Sequence, residues 1–169
     1  LFAAVVAPQV CLVLLEPPLD WLPTVPERHL RRSVRFMTLA EARALPGPVF
    51  VKPADEKSFD ARVWASGTEL LGTATLPDHL AVLVAEPIEW ALEVRCFVVD
   101  GEVVTCSPYV RHRKLAQAED GSWPATDDEL AAARAFAGKV IADVAMPPAV
   151  ALDVGIVTGR GWAVVEANP

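Results

Sequence analysis

The chain has 169 residues, of which 53% are hydrophobic, and its formal net charge is -7. This length is enough to bury one sizeable core, and the acidic balance argues against nucleic acid as the main partner, because neutralising phosphates requires a basic surface. The apolar stretch at residues 1–15 is too short to span a bilayer and is interrupted by Pro8 and Gln9. We therefore expect a protein that does not insert into membranes and that works in the cytoplasm.

The first half of the chain predicts short strands separated by loops. Residues 10–15 are typical of a buried strand, and the proline-rich residues 16–26 predict a loop. Thr38 and Glu41 have the spacing of a capping box, which predicts a short helix that continues to Leu45. Four further strands are predicted, at 33–37, 49–53, near 61–65 and at 81–86.

A tight hairpin follows. The Asp-Gly pair at 100–101 is among the strongest hairpin signals and joins predicted strands at 92–99 and 102–107. In an unbroken hairpin of this kind, Cys96 and Cys106 lie on opposite faces of the sheet. We therefore expect two free thiols rather than a disulfide.

The last third of the chain predicts one helix and a second hairpin. A long polar loop over residues 111–126 leads to a capping box at 126–129, and the helix that it opens extends to about Ala145. Strands are predicted at 149–157 and 162–168, with a Thr-Gly-Arg-Gly turn between them. Few helices and mostly antiparallel strands indicate an α+β fold.

Polar side chains collect on the second hairpin. Asp153 interrupts an apolar strand, where aspartate is disfavoured, and Glu166 and Asn168 share one face of the partner strand because they are two residues apart. Two carboxylates and an amide oxygen aimed at one point are suitable ligands for Mg²⁺. The alternative is a hairpin whose acids are simply exposed to solvent.

Three further residues have two interpretations each. Glu93 and Arg95 share one face of the first hairpin, either as a surface ion pair or as part of a site. Lys52 ends a predicted strand, which suits a phosphate contact but is also common for any lysine. None of these signals indicates a function by itself.

Together, in this order and spacing, the residues resemble the ATP-grasp superfamily of carboxylate–amine and carboxylate–thiol ligases. The resemblance covers roughly residues 34–169, and other segments resemble an uncharacterised bacterial branch known as a domain of unknown function. It implies an α+β fold of two small lobes with mostly antiparallel sheets, which bind ATP and Mg²⁺ between them. The motifs that carry it are VFVKP (49–53), EPIE (86–89), LEVRCFVVDGEVV (92–104) and VVEANP (164–169).

The resemblance also implies a role for each site residue. The expected residues are Lys52, Lys57, Glu86, Pro87, Ile88, Glu89 and Glu93 for the nucleotide, Asp153, Glu166 and Asn168 for magnesium, and Arg95, Arg113 and Lys114 for the transferring phosphoryl group. The sequence departs from the family in two places. The loop after Lys52 lacks the usual glycines, and Ala151 stands where many ligases have an arginine.

The implied domain organisation has three parts. Residues 1–33 are a remnant of the N-terminal region, residues 34–88 form the N-lobe with its hinge, and residues 89–169 form a C-terminally truncated C-lobe with the metal site. The implied activity is an ATP- and Mg²⁺-dependent ligase that joins a carboxylate to an amine through an acyl phosphate. The partners are then small-molecule or peptide carboxylates and amines, and not nucleic acid or membrane.

Two other functions are consistent with the same sequence. Ala151 and the glycine-free loop favour a nucleotide-binding module that has lost ligase activity, or an ATP-grasp kinase. A plain interaction domain with surface acids is the third hypothesis. Binding of ATP with Mg²⁺ separates the third from the others, and carboxylate-dependent release of ADP separates the first two.

Overall fold

Two antiparallel sheets make up most of the protein. The computed structural model describes residues 15–54, 58–73 and 75–169. The first sheet contains β1 (Val34–Thr38), β2 (Val49–Pro53), β3 (Arg62–Trp64) and β4 (Ala81–Ala85), in the order β1-β4-β2-β3. The second contains β5 (Trp90–Val99), β6 (Glu102–Arg111), β7 (Lys114–Leu115), β8 (Ala149–Val157) and β9 (Gly161–Asn168), in the order β7-β6-β5-β8-β9. The α+β prediction is confirmed.

The helices are few and mostly short. They are α1 (Trp21–Thr24), α2 (Glu27–Leu30), α3 (Leu39–Arg43), α4 (Asp127–Asp143) and a 3-10 helix at Gly67–Thr73. Both predicted capping boxes are present; in α4, for example, the Thr126 hydroxyl accepts from the Glu129 N–H at 3.1 Å and the Glu129 carboxylate accepts from the Thr126 N–H at 2.9 Å. No helix in the described part of the chain is long and apolar enough to cross a membrane.

Each sheet buries one face against helices. Helix α4 covers the second sheet with Ala133, Ala137 and Val140, all fully buried, which pack in a core with residues such as Val94 and Leu152. The first sheet packs against α3 and the 3-10 helix. The opposite faces of the two sheets carry no helix and line a common cavity. The fold therefore leaves one face of each sheet available for a site.

Two predicted loops contain regular structure. Helix α1 lies within the proline-rich stretch 16–26, and β7 lies at the start of the predicted loop 111–126. Strand β6 continues to Arg111 and turns into β7 through His112 and Arg113, which both have positive φ. The strand predicted at 10–15 falls outside the described residues, apart from its last residue.

The predicted faces of two cysteines are wrong. Strand β6 contains a bulge at Val104, because Phe97 pairs with Thr105 while Val98 pairs with Val103. The extra residue shifts the register by one, so Cys96 lies directly opposite Cys106 in the core. Both are free thiols, as expected. Burial, with Cys106 adjacent, raises the pKa of Cys96 to about 12, which keeps this thiol protonated.

Candidate functional site

The uncovered faces of the two sheets enclose a cavity of about 760 Å³. Residues 86–89, here called the hinge, connect β4 to β5 at one end of this cavity. Next to the hinge, one row of apolar side chains crosses the first sheet, because strand pairing aligns them. The row consists of Val34, Ala85, Phe50 and Val63, and all four line the cavity.

Lys52 lies one row further from the hinge. It pairs with Leu83 across β2 and β4, and its ammonium group donates to the Glu166 carboxylate on β9. This ion pair joins the first sheet to the second. The cavity therefore has an apolar end at the hinge and a charged end at Lys52 and Glu166.

A row of charged residues crosses the second sheet. Arg95 pairs with Asp153 across β5 and β8, and Asp153 pairs with Glu166 across β8 and β9. Asn168 lies opposite Ala151 in the next row, and its amide nitrogen donates to Glu166 at 3.1 Å and approaches Asp153 at 3.4 Å. The structure thus brings the three predicted metal ligands together at one point.

Asp153 is completely buried and is held by Arg95. The guanidinium donates from Nε to Oδ1 at 2.8 Å and from a terminal nitrogen to Oδ2 at 2.7 Å, a bidentate geometry. Burial raises the pKa of Asp153 although Arg95 opposes the shift, and the same pair raises the pKa of Arg95. Arg95 was expected to face a transferring phosphoryl group, but its guanidinium is instead bound to this carboxylate.

Glu166 has the opposite balance. Burial alone raises its pKa, but Lys52, Asn168 and Arg95 together outweigh burial and lower it. Glu166 is therefore a carboxylate at neutral pH. Among the described residues, no group of three or more His, Cys, Asp or Glu side chains forms a metal site. The oxygen donors here are two carboxylates and one amide.

A bulge in β9 brings Asp153 and Glu166 to the same face. Val154 pairs with Val164, whereas Asp153 pairs with Glu166, so Val165 is the extra residue. Without it, Glu166 would lie opposite Leu152, whose side chain faces the core. The convergence of the acids therefore depends on this bulge.

Arg32 braces the bulge and was not predicted. Its guanidinium is buried and donates to the carbonyl oxygens of Val164 at 2.7 Å and Val165 at 3.1 Å. It also lies over the Trp90 ring, 5.0 Å from the centroid. Burial lowers the pKa of Arg32 to about 10, an effect that Glu93 and other acids oppose. No local pattern in the sequence indicates these contacts, because they join residues more than a hundred positions apart.

Tyr109 is a second residue that the sequence did not indicate. It is the extra residue of another bulge in β6, and its hydroxyl donates to the Glu93 carboxylate at 2.7 Å. Burial raises the pKa of Tyr109 and also that of Glu93, the latter against the hydrogen bond from Tyr109. Both side chains line the cavity between the hinge and the charged end.

The hinge is anchored to the second sheet. Arg160, in the turn between β8 and β9, donates to both carboxylate oxygens of Glu86, at 2.6 and 3.1 Å, and the Glu86 N–H donates to the Ser33 carbonyl at 3.1 Å. The Glu89 carbonyl accepts from the Thr158 N–H. Glu86, Glu89 and Ile88 line the cavity.

The remaining predicted residues divide. Arg113 lines the cavity, whereas Lys114 lies exposed on β7 and is not part of the lining. Arg111 is held by Glu129 of α4, at 2.7 and 3.0 Å. Lys57 lies outside the described residues. Pro87 lies in the hinge, but its side chain is not among the groups that line the cavity.

Comparison with known families agrees with this architecture. The model of an ATP-grasp domain, the second family of its clade, matches residues 29–169. The chain belongs to this ATP-grasp family. No curated protein matches it.

Solved ATP-grasp structures share the fold. They include a RimK domain protein from Sphaerobacter thermophilus, with 19% identity, a TM-score of 0.54 and coverage of 83% of this chain and 53% of that chain. D-alanine–D-alanine ligase from Bacillus anthracis gives 16%, 0.52, 83% and 51%. An ADP complex of N5-carboxyaminoimidazole ribonucleotide synthetase gives 17%, 0.53, 82% and 40%. The ATP-grasp chain described here thus spans about half, or less, of the length of these proteins.

Proposed function

We propose that this ATP-grasp chain is an ATP- and Mg²⁺-dependent ligase that joins a carboxylate to an amine through an acyl phosphate, releasing ADP and phosphate. One observation carries the proposal. Lys52 of the first sheet meets Glu166, Asp153 and Asn168 of the second sheet at the charged end of the large cavity. In the same proposal, residues 34–88 form the N-lobe, residues 89–169 form the C-lobe and residues 1–33 precede them.

The apolar end of the cavity suits a nucleotide base. A purine ring has two flat apolar faces, which the row of four apolar side chains beside the hinge can cover. Among the described residues, no partner is found for the Ile88 N–H, so this group is the hinge donor that we propose for adenine. Glu93, oriented by Tyr109, is the acceptor that we propose for the ribose hydroxyls.

The charged end suits phosphates and a magnesium ion. Asp153, Glu166 and Asn168 supply hard oxygen donors, which is the ligand type that Mg²⁺ prefers. Bound Mg²⁺ neutralises charge on the phosphate oxygens during transfer. Lys52 now balances Glu166 and is placed to exchange this partner for a phosphate, while Arg95 keeps Asp153 ionised and oriented.

The proposed reaction has two steps. An acceptor carboxylate oxygen attacks the γ-phosphorus, the bond from phosphorus to the β–γ bridging oxygen breaks, and ADP leaves. An amine then attacks the acyl carbon, loses a proton, and expels phosphate. The protein's part is to position the groups and to offset charge, and no side chain acts as a nucleophile. The free thiols suit a reducing cytoplasm, where we propose that the protein works.

A nucleotide-binding module without ligase activity is the second candidate. Arg95 is already bound to Asp153, and Ala151, in the next row, offers no positive charge. Arg113 is then the remaining cation on the second sheet that lines the cavity within the described residues and is not held by an acid. Ligase activity therefore depends on Arg113, whereas the module does not need it.

The test measures binding and turnover separately. Calorimetry should show ATP binding that requires Mg²⁺, and incubation with carboxylates and hydroxylamine should release ADP and form hydroxamates, because hydroxylamine traps an acyl phosphate. Binding of ATP without hydroxamate from any carboxylate, alone or in peptides, supports the module instead. No Mg²⁺-dependent binding of ATP contradicts both.

A further inference from the structure

A second, smaller pocket lies beyond the charged end of the large cavity. Its volume is about 90 Å³, and Lys52 and Glu166 line both cavities, so their ion pair stands between them. Asn168 also lines the small pocket. The small pocket therefore borders the group of oxygen donors on the side away from the hinge.

The N-terminal segment forms one wall of this pocket. Pro17, Pro18, Leu19 and Trp21 line it, and all of them precede residue 29, where the match to the family model begins. The wall is held in place, because Trp21 is buried and its indole N–H donates to the Ala145 carbonyl, after α4, at 3.0 Å. This chain thus adds to the ATP-grasp domain a feature that the family model does not cover.

The position of the pocket matches what phosphoryl transfer requires. The attacking and leaving oxygens lie roughly in line on opposite sides of the phosphorus atom. A nucleotide bound from the hinge towards Lys52 has its leaving oxygen on the side of the large cavity. The attacking carboxylate must then approach from the other side of the Lys52–Glu166 pair, where the small pocket lies.

The lining of the pocket defines the kind of acceptor. Its charged and amide groups, Lys52, Glu166 and Asn168, come from the metal end, and the rest of the lining is proline, leucine, tryptophan and alanine. An apolar cavity of about 150 Å³ holds a benzene molecule, so a pocket of 90 Å³ holds a smaller group. The lining therefore suits a short aliphatic group and excludes charged or aromatic ones.

We propose that this small pocket is the acceptor subsite and that it selects a carboxylate carrying a short, uncharged aliphatic group. The inference rests on the proposed ligase function and adds its substrate class. Leu19 is the lining residue best suited to a test, because its side chain is 41% exposed and its truncation leaves the core intact. Leu15, equally exposed in the same segment and outside the lining, is the matched control.

The experiment measures hydroxamate formation by the full chain with propionate, alanine, valine, phenylalanine and glutamate as acceptors. The wild type should use the short aliphatic acceptors and reject phenylalanine and glutamate. Leu19→Ala should raise kcat/KM for phenylalanine relative to alanine by about tenfold or more, since a few methylenes in an apolar pocket change specificity by that order. Leu15→Ala should leave the ratio unchanged, and the KM for ATP should not change in either variant.

Two results would overturn the subsite while leaving the ligase in place. One is turnover of glutamate or phenylalanine by the wild type at the rate of alanine. The other is an unchanged ratio in Leu19→Ala. Mg²⁺-dependent ATP binding without hydroxamate from any of the five acceptors also contradicts the substrate class. Loss of ATP binding itself contradicts the proposed function, so the two failures are distinguishable.

Discussion

The two long hairpins of the second sheet use the same device for different ends. The β5–β6 hairpin contains a bulge at Val104 that places two cysteines face to face in the core. The β8–β9 hairpin contains a bulge at Val165 that places Asp153 opposite Glu166 beside the cavity. A single extra residue reverses the face of every side chain beyond it. One bulge therefore serves packing, and the other assembles the charged site.

The hairpins also differ in what holds the bulge. Arg32, from outside the sheet, bonds the carbonyls at the Val165 bulge. Such an anchor is expensive, because it buries a guanidinium, and burial lowers its pKa. We infer that precise placement of Glu166 matters more to this protein than placement of the thiols. The predictions below test that difference, beginning with the largest expected effect.

Changing Glu166 to glutamine should abolish ATP turnover, with a loss of about 10²–10³-fold or more. The substitution keeps the shape of the side chain but removes a carboxylate charge from the proposed metal site and from Lys52. Turnover is measured as ADP release, and circular dichroism checks the fold. The matched control is Glu119→Gln, on an exposed loop. Full turnover in Glu166→Gln would show that the metal assignment is wrong.

Changing Arg32 to methionine or lysine should lower turnover by about 10- to 100-fold, the range seen when groups behind metal ligands are removed. Neither side chain can bridge the carbonyls of Val164 and Val165. The informative measurement is the Mg²⁺ concentration for half-maximal turnover, which should rise. Arg28→Met, an exposed arginine nearby that pairs with Asp143, is the control.

A purely structural role for Arg32 predicts a different result. The melting temperature would fall, but the Mg²⁺ requirement of the folded protein would be unchanged. That outcome would separate the bulge from the site and remove the contrast between the two hairpins.

Changing Cys96 to alanine should destabilise the protein by about 1–2 kcal/mol, because it leaves a small cavity in a fully buried position. Turnover at a temperature well below the midpoint should stay within about twofold of the wild type. Urea unfolding measures the first effect and ADP release the second. A large loss of turnover without loss of stability would place the thiols in the site.

Replacing the turn His112-Arg113 with Asn-Gly should have the smallest effect on the fold and should stabilise it by about 1–2 kcal/mol. Both residues have positive φ, of 47° and 64°, which asparagine and glycine adopt more readily. Turnover should nevertheless fall, because Arg113 is lost from the cavity. His112→Asn alone should keep turnover, and unchanged turnover in the double variant would remove Arg113 from the proposed mechanism.

Local patterns predicted most of the elements correctly. The capping boxes at Thr38 and Thr126, the Asp-Gly hairpin and the strand at 149–157 each depend on residues close together in the chain. The spacing of residues from Lys52 to Asn168 predicted the ATP-grasp fold, which the family match confirms. The roles of individual site residues stay predictions.

The tertiary structure decided what the local patterns could not. Nothing within a strand specifies the bulges at Val104, Tyr109 and Val165, so the facing cysteines and the Tyr109–Glu93 hydrogen bond were not predicted. Arg32 reaches Val164 across 132 positions, and the Lys52–Glu166 pair joins two sheets. By itself, the sequence determined which segments are strands and which residues could form a site. Packing determined the register of those strands, because a one-residue shift costs little locally but exchanges buried and exposed faces along the whole strand.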